Sequence, residues 1–429
     1  MAKLLLETVS KNHFDSVCEV SYNIRSCITH NLKLKRKKIM TNNKLSRRTF
    51  IRNTSVIAAG SIAAAYSGTG SASTGQKNAT DTSKILNYNP KMRYRRLGKT
   101  NLMVSEISLG GHWANRGGGR YWQNFANDEV PEDVAKNRTG VVSSCIDNGI
   151  NYLDITTSAE CLSYGAALKG RREKMIVAAD DCDLSPQHKQ YANVKAQLHN
   201  IDECLRRFGT DYFDIWRPMF RQDGKHSDSD LEITAEAFEK ARDKGKARFL
   251  GMTSHNREFI QHLVANFSKF SVVYFPYTAK SKVKPADVKS VDAKQVVEIG
   301  TGDGAYSGDM RGGIFGAAQK HDIGVVTIKP FGGGSLFRTR LKFGTETEST
   351  DNDYERARLT LAYILCNPAI TATIPGMTTT EQVENNVRAS AERLALLDNN
   401  GIWKLTEAAE QMWADLPEEY RWLHDWEWV

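Results

Sequence analysis

The sequence predicts an α/β fold: a (β/α)8 barrel with a Trp-rich C-terminal extension. Three observations predict it. From Arg95 onward, short β-branched apolar runs alternate with longer helical patterns. Eight such runs occur over about 300 residues, which fits the strand number and size of a barrel. Gly149, Gly209, Gly245 and Gly324 stand just ahead of four of the runs, where Gly suits a helix C-cap leading into the next strand. At 429 residues, 40% hydrophobic and 25% charged, the chain has ordinary globular composition.

The N-terminal part is a leader. Residues 1–72 hold twelve of the 58 Lys/Arg and three of the 50 Asp/Glu, leaving 46 basic and 47 acidic residues in the remainder. The formal charge of +8 therefore belongs to the leader, and no nucleic-acid partner is expected. Ser46–Arg52 reads S-R-R-T-F-I-R, an apolar small-residue run follows from Val56 to Ala65, and a Ser/Gly/Ala/Thr stretch extends to about Ser83. Arg47, Arg48 and Phe50 resemble a twin-arginine export signal. Met40 is the expected true start. This gives a spurious or extended leader at 1–39, a signal at 40–72, a linker at 73–92, the barrel at 93–395 and a helical tail at 396–429. The apolar run is too short to serve as a membrane anchor. The resemblance implies the export machinery as a partner and a periplasmic or secreted location.

The barrel runs are Val104–Leu109, Tyr152–Ile155, Met175–Ala178, Phe213–Trp216, Arg248–Met252, Val272–Phe275, Val325–Ile328 and Thr371–Ile374. Two irregular insertions, His112 to Pro131 and Lys280 to Gly313, follow the first and sixth runs. Loops after strands form the active-site face of a barrel, so each insertion either covers the mouth or decorates the surface. The tail carries Trp403, Trp413, Trp422, Trp426 and Trp428. Such density reads first as a packing plug, and as a sugar-stacking surface if the tail reaches the mouth. The seven cysteines show no C-x-x-C spacing, so no metal site is expected, and the five beyond the leader read as buried structural thiols.

Several collinear stretches over residues 93–395 resemble the aldo-keto reductases. They are R-R-L-G-K-T-N-L-M-V-S-E-I-S-L-G-G (Arg95–Gly111), G-I-N-Y-L-D (Gly149–Asp154), A-L-K-G-R-R (Ala167–Arg172), F-G-T-D-Y-F-D (Phe208–Asp214), G-K-A-R-F-L-G-M-T-S-H-N (Gly245–Asn256), V-V-T-I-K-P-F-G-G-G and I-P-G-M-T-T-T-E-Q-V-E-N-N. The family uses an Asp, Tyr, Lys and His set, in which Tyr delivers a proton while nicotinamide delivers hydride. Asp154 stands at the family's Asp. The resemblance places Ala159 at the Tyr, Asp180 at the Lys and Met219 at the His, so three of four roles are vacant. Tyr164, followed by Gly165, is either a displaced catalytic Tyr or the helix residue usually seen as Leu-Gly; the helix reading is preferred.

The cofactor stretches match better. The resemblance implies that Thr253 and Ser254 hold the nicotinamide carboxamide, with Tyr274 in place of a Gln. Lys329 and the glycines to Gly334, Gly333 among them, approach the pyrophosphate. Gly376, Met377, Thr378, Gln382 and Asn386 match the adenosine-binding positions. The implied cofactor is NAD or NADP. Thr378 replaces the basic residue that often meets a 2′-phosphate, which favours NAD.

Replacement acid/base groups are Asp154, Asp180, His255 and His112, and Arg217 is an anion contact. Each also has a structural reading: Arg217 in a salt bridge, His255 as a cap, Asp180 as a turn former. The leading functional expectation is a nicotinamide-dependent oxidoreductase acting on a carbonyl or hydroxyl of a small molecule, with a sugar suggested. The alternatives are a lyase, isomerase or hydrolase using an Asp154/Asp180 pair, and a non-catalytic ligand-binding protein.

Overall fold

The computed structural model describes residues 81–111, 125–282, 313–337 and 349–429. The export signal, His112 and most of both insertions lie outside them. Two short strands, β1 (Tyr94–Arg96) and β2 (Met103–Ser105), form an antiparallel hairpin with Tyr94 opposite Ser105. Seven parallel strands follow in sequence order: β3 (Tyr152–Ile155), β4 (Ile176–Ala179), β5 (Phe213–Trp216), β6 (Ala247–Thr253), β7 (Val272–Pro276), β8 (Gly324–Ile328) and β9 (Ala372–Ile374).

The ring closes through single bridges, Ile107 to Thr373 and Leu109 to Leu153. Leu109 N–H donates to Tyr152 O at 2.9 Å, and Thr373 N–H donates to Glu106 O at 2.9 Å. This is the (β/α)8 barrel expected, with one correction. The run Val104–Leu109 is not one strand. Its first residues pair in the hairpin and its last close the barrel. At the break, Ser105 N–H donates to Asn151 Oδ1 (2.8 Å) and Asn151 N–H to Ser105 Oγ (3.2 Å), which satisfies backbone groups leaving the ladder.

The strands are buried on both faces because helices pack outside and side chains fill the bore. Leu97, Val104, Tyr152, Ile176, Ala178, Ile215, Val272, Tyr274, Val326, Ala372 and Ile374 form the inner cluster. The helices are α1 (Glu132–Asp147), α2 (Ser158–Ala167), α3 (Val194–Phe208), α4 (Asp228–Asp243), α5 (Arg257–Asn266), α6 (Ile314–Lys320), α7 (Asp351–Cys366), α8 (Thr380–Leu396) and α9 (Asn399–Ala414). Local chemistry sets their ends. Asn193 caps α3 by accepting from Ala196 N–H, and Gly209 ends it at φ 75°. Gly324 departs from the C-cap expectation: it is the first residue of β8, and a Cβ there would lie 2.6 Å from Leu97 Cδ1.

Buried Glu106 ties the hairpin to α8. It pairs with Arg95 Nε and Arg393 Nη2, each at 2.6 Å, and accepts from Ser390 Oγ at 3.0 Å. Residues 81–92, expected as linker, pack on the barrel: Asn87 Nδ2 donates to Ile150 O (2.9 Å) and Lys174 O (2.8 Å). Cys145, Cys161 and Cys204 are buried free thiols, while Cys182 and Cys366 are partly exposed ones.

The tail is both plug and roof. After α9, a 3-10 segment (Glu418–Trp426) carries Trp426 into the core, where it stacks on Phe275 at 5.4 Å and donates from Nε1 to His255 O at 2.7 Å. The chain end is fastened beyond β7: Lys282 N–H donates to Glu427 O (2.7 Å) and Val429 N–H to Lys282 O (2.8 Å). Among the described residues no helix is long and apolar enough to cross a membrane.

Candidate active site

The C-terminal strand ends bring together Asp154, Asp180, Arg217, Thr253, Tyr274 and Lys329, at the face where barrel enzymes build their sites. The centre is an ion pair. Arg217 donates from Nη2 to Asp154 Oδ2 at 2.8 Å and from Nε to Oδ1, and both residues are only 3% exposed. The guanidinium lies 5.2 Å from the Tyr274 ring centroid. Gly251 makes room for this arrangement: a Cβ there would lie 2.8 Å from the Tyr274 ring and 3.1 Å from Arg217 Cβ. Below, the Tyr152 and Tyr274 hydroxyls share a hydrogen bond in the bore. Burial pushes the Asp154 carboxyl up to about 6 against the pull of Arg217, so the pair is ionic at neutral pH. Arg217 thus has its salt-bridge role, with Asp154 as partner.

Asp180 has the turn-forming role. Its carboxylate accepts from Ser185 Oγ (2.7 Å), Asn200 Nδ2 (2.9 Å) and Met219 N–H (3.2 Å), joining the ends of β4 and β5. Burial still pushes it up to about 7, opposed by the Ser185 hydroxyl and the Arg217 charge. Asp154 and Asp180 each have partners of their own, Arg217 for the first and Ser185, Asn200 and Met219 for the second. Glu160 adds to the upward push on Asp154, and the Arg217 charge acts on both aspartates.

At the vacant Tyr position, Ala159 is buried in the first turn of α2, which Thr157 caps. Glu160, the next residue, was missed in the sequence. Its buried carboxylate accepts from Thr156 N–H (2.7 Å) and Thr156 Oγ1 (3.0 Å), and a Cβ on Gly111 would fall 2.1 Å from it. The available signal was a Glu one residue past the expected Tyr, with a Gly pair ending the first barrel run. Tyr164 is a helix residue: it is buried in α2 and donates to Gly110 O at 2.7 Å.

The cofactor-side residues have varied roles. Thr253 Oγ1 donates to Tyr274 O (3.2 Å) and Ser254 Oγ to Arg221 O (3.2 Å). His255 stacks on Trp422 at 4.3 Å, so the tail engages it. Lys329, after β8, has its ammonium 5.3 Å from the Tyr420 ring and 5.9 Å from Trp422. Gly332 and Gly333 have φ 53° and 66°, and a Cβ on Gly333 would meet the Tyr420 ring at 2.6 Å. Gly333 therefore accommodates the ring of Tyr420 from the tail. Beside it, Ser335 is 3% exposed and its hydroxyl has no hydrogen-bond partner among the described residues. After β9, Gly376 is exposed, Thr378 N–H donates to Gln382 Oε1 (2.7 Å), and Asn386 Oδ1 accepts from Asn385 Nδ2 (3.1 Å). The buried orphan hydroxyl of Ser335 fits a phosphate of a dinucleotide, and Lys329 has no carboxylate partner among the described residues.

Residues 111–406 match the aldo/keto reductase family, and the chain belongs to that family. It is a nicotinamide-dependent oxidoreductase of small molecules. The L-glyceraldehyde 3-phosphate reductase of Escherichia coli O157:H7 is 23% identical over 342 residues, covering 72% of this chain and 92% of that protein. Two solved structures are similar. One is the aldo-keto reductase AKR11C1 from Bacillus halodurans in its holo form, with 21% identity, 77% and 99% of the two chains covered, and a TM-score of 0.48. The other is an aldo-keto reductase from Klebsiella pneumoniae in complex with NADPH, with 22% identity, 72% and 94% covered, and a TM-score of 0.47.

Proposed function

We propose that this chain is an exported oxidoreductase that interconverts a carbonyl and a hydroxyl on a small carbohydrate. The observation that carries the reading is the buried, unpartnered Ser335 hydroxyl after β8, on the face where the family's Tyr position is an apolar Ala159; it supports a retained cofactor side. A bound nicotinamide dinucleotide supplies or accepts hydride. Ser335 would face its phosphates, and Thr378, Gln382 and Asn386 its adenosine end. NAD is favoured over NADP because Thr378 brings no positive charge.

The chain's own residues set the environment. The Asp154–Arg217 pair is a fixed dipole under the mouth, preorganised by Tyr274 and Gly251. Tyr420 and Trp422 cover part of the Lys329 side and leave that residue partly exposed. Trp422, which is only partly buried, is the aromatic support for a sugar substrate. Arg47 and Arg48 support export by the twin-arginine machinery.

Tryptophan fluorescence tests the reading, since Trp422 adjoins Lys329. Titration with NAD and NADP should give a saturable change, stronger for NAD, and reducing sugars should then oxidise the reduced cofactor. A flat titration with both dinucleotides would refute it. Changing Arg47 and Arg48 to Lys should leave the protein in the cytoplasm, and undiminished export would refute the localisation.

A further inference from the structure

We propose that Lys329 is the proton-transfer residue of this site. Its amine is supplied from the end of β8 into the mouth whose family Tyr, Lys and His are vacant, under a roof of Tyr420 and Trp422. The inference rests on the oxidoreductase reading and names the group that takes over from the missing Tyr.

Four observations carry it. The backbone is the first. Lys329 sits at φ 55°, and the other described non-glycine residues with positive φ are Asn87, Asn101, Asn127, Asp128 and Asp322. Asn and Asp tolerate the left-handed region, whereas a lysine there pays about 1–2 kcal/mol, strain that is kept where a side chain must be aimed. Reach is the second. The amine comes from β8, and its ammonium lies 5.9 Å from the Trp422 ring, which stacks at 4.3 Å on His255 just after β6. It therefore stands on the strand-end face where Asp180 and Met219 occupy the positions of the family's Lys and His. The third is isolation: no carboxylate among the described residues pairs with it, so no ion pair holds the proton in place. The fourth is the roof. Tyr420 and Trp422 cover the amine from the C-terminal tail, beyond the stretch that matches the family, which ends at residue 406. Burial beneath it lowers the amine to about 8, against the Cys182 thiol and with help from Arg217, which suits an acid and base near neutral pH.

The step balances. In reduction, the ammonium would give its proton to the carbonyl oxygen, and a bound reduced dinucleotide would supply the hydride that the carbonyl carbon gains. The products are a hydroxyl and a neutral amine, which regains its proton from solvent. In oxidation the neutral amine removes the hydroxyl proton.

The test has two parts. On the protein without cofactor, competitive acetylation across pH, read by peptide mass spectrometry, gives the titration of Lys329 itself. A midpoint near pH 8 is expected, moving up toward the ordinary lysine value of about 10.4 in Trp422→Ala and Tyr420→Leu. A midpoint at the ordinary value in the wild type overturns the proposal. In the second part, NADH- or NADPH-dependent reduction of DL-glyceraldehyde is followed in wild type, Lys329→Met and Lys329→Gln. Each variant is checked for folding by circular dichroism and for dinucleotide binding by fluorescence. Loss of kcat by about 100-fold or more with dinucleotide binding retained is expected. Undiminished kcat, or loss explained wholly by lost dinucleotide binding, overturns the proposal and leaves the oxidoreductase reading standing. Wild type that neither binds dinucleotide nor turns over overturns that reading, and the proposal with it. Borohydride added with glyceraldehyde should leave Lys329 unmodified; a trapped adduct would overturn proton transfer in favour of an imine.

Discussion

Arg217→Met removes the cation from a buried pair and leaves Asp154 alone in the bore. In the wild type, burial has already pushed Asp154 from an ordinary 3.8 to about 6 despite Arg217, an imbalance worth about 3 kcal/mol. A carboxyl raised in the folded state contributes stability that is full below its unfolded value and is lost as pH rises through its folded value. For the wild type that loss falls between about pH 4 and 6. Without the opposing charge the folded value moves higher, so the variant keeps losing stability above pH 6. The expected cost at pH 8 is about 3–5 kcal/mol, the usual penalty for half of a buried pair, and it shrinks toward pH 5 as Asp154 takes a proton. Urea unfolding at pH 5, 6, 7 and 8 measures it. The double variant Asp154→Asn/Arg217→Met should recover most of the loss and show no slope from this site. Equal slopes for Arg217→Met and wild type between pH 6 and 8, or strictly additive costs of the two single changes, would refute the coupling.

Other consequences follow from the same physics. Glu106→Gln should cost about 3 kcal/mol at neutral pH, because burial is outweighed by Arg393 and Arg95, which hold the carboxyl at about 2 against an ordinary 4.5. That stability is present above pH 4.5 and is lost as pH falls through 2, so acid unfolding should begin at higher pH in the variant. Asp180 is raised to about 7, so its contribution is lost between about pH 4 and 7. Asp180→Asn should remove about 4 kcal/mol of pH dependence over that window, read from Tm against pH. Trp426→Ala should cost about 3–5 kcal/mol and expose Lys329 to acetylation, since its indole anchors the roof in the core against Phe275.

Most of the barrel was legible because its strands are buried on both faces and are written as short β-branched runs with turn signals between them. The split of Val104–Leu109 was not, since a side chain from elsewhere decides it: Asn151 takes over the hydrogen bonds of Ser105. Asp154 and Arg217 could be placed at strand ends, but only the fold reveals that each satisfies the other. Gly333 read as a phosphate contact because a glycine that admits a phosphate also admits an aromatic ring, and Tyr420 lies some ninety residues on. Glu160 escaped because its partner space is the missing Cβ of Gly111. The Trp-rich tail was readable as a plug, while its path across the mouth depends on two backbone bonds at Lys282.

Native mass spectrometry of the purified protein, with absorbance in the reduced-nicotinamide band, tests the central claim most directly. One dinucleotide per chain, retained or taken up on adding NAD or NADP, is the result expected for a nicotinamide-dependent oxidoreductase with an intact cofactor side. A protein that stays empty with both added would contradict it.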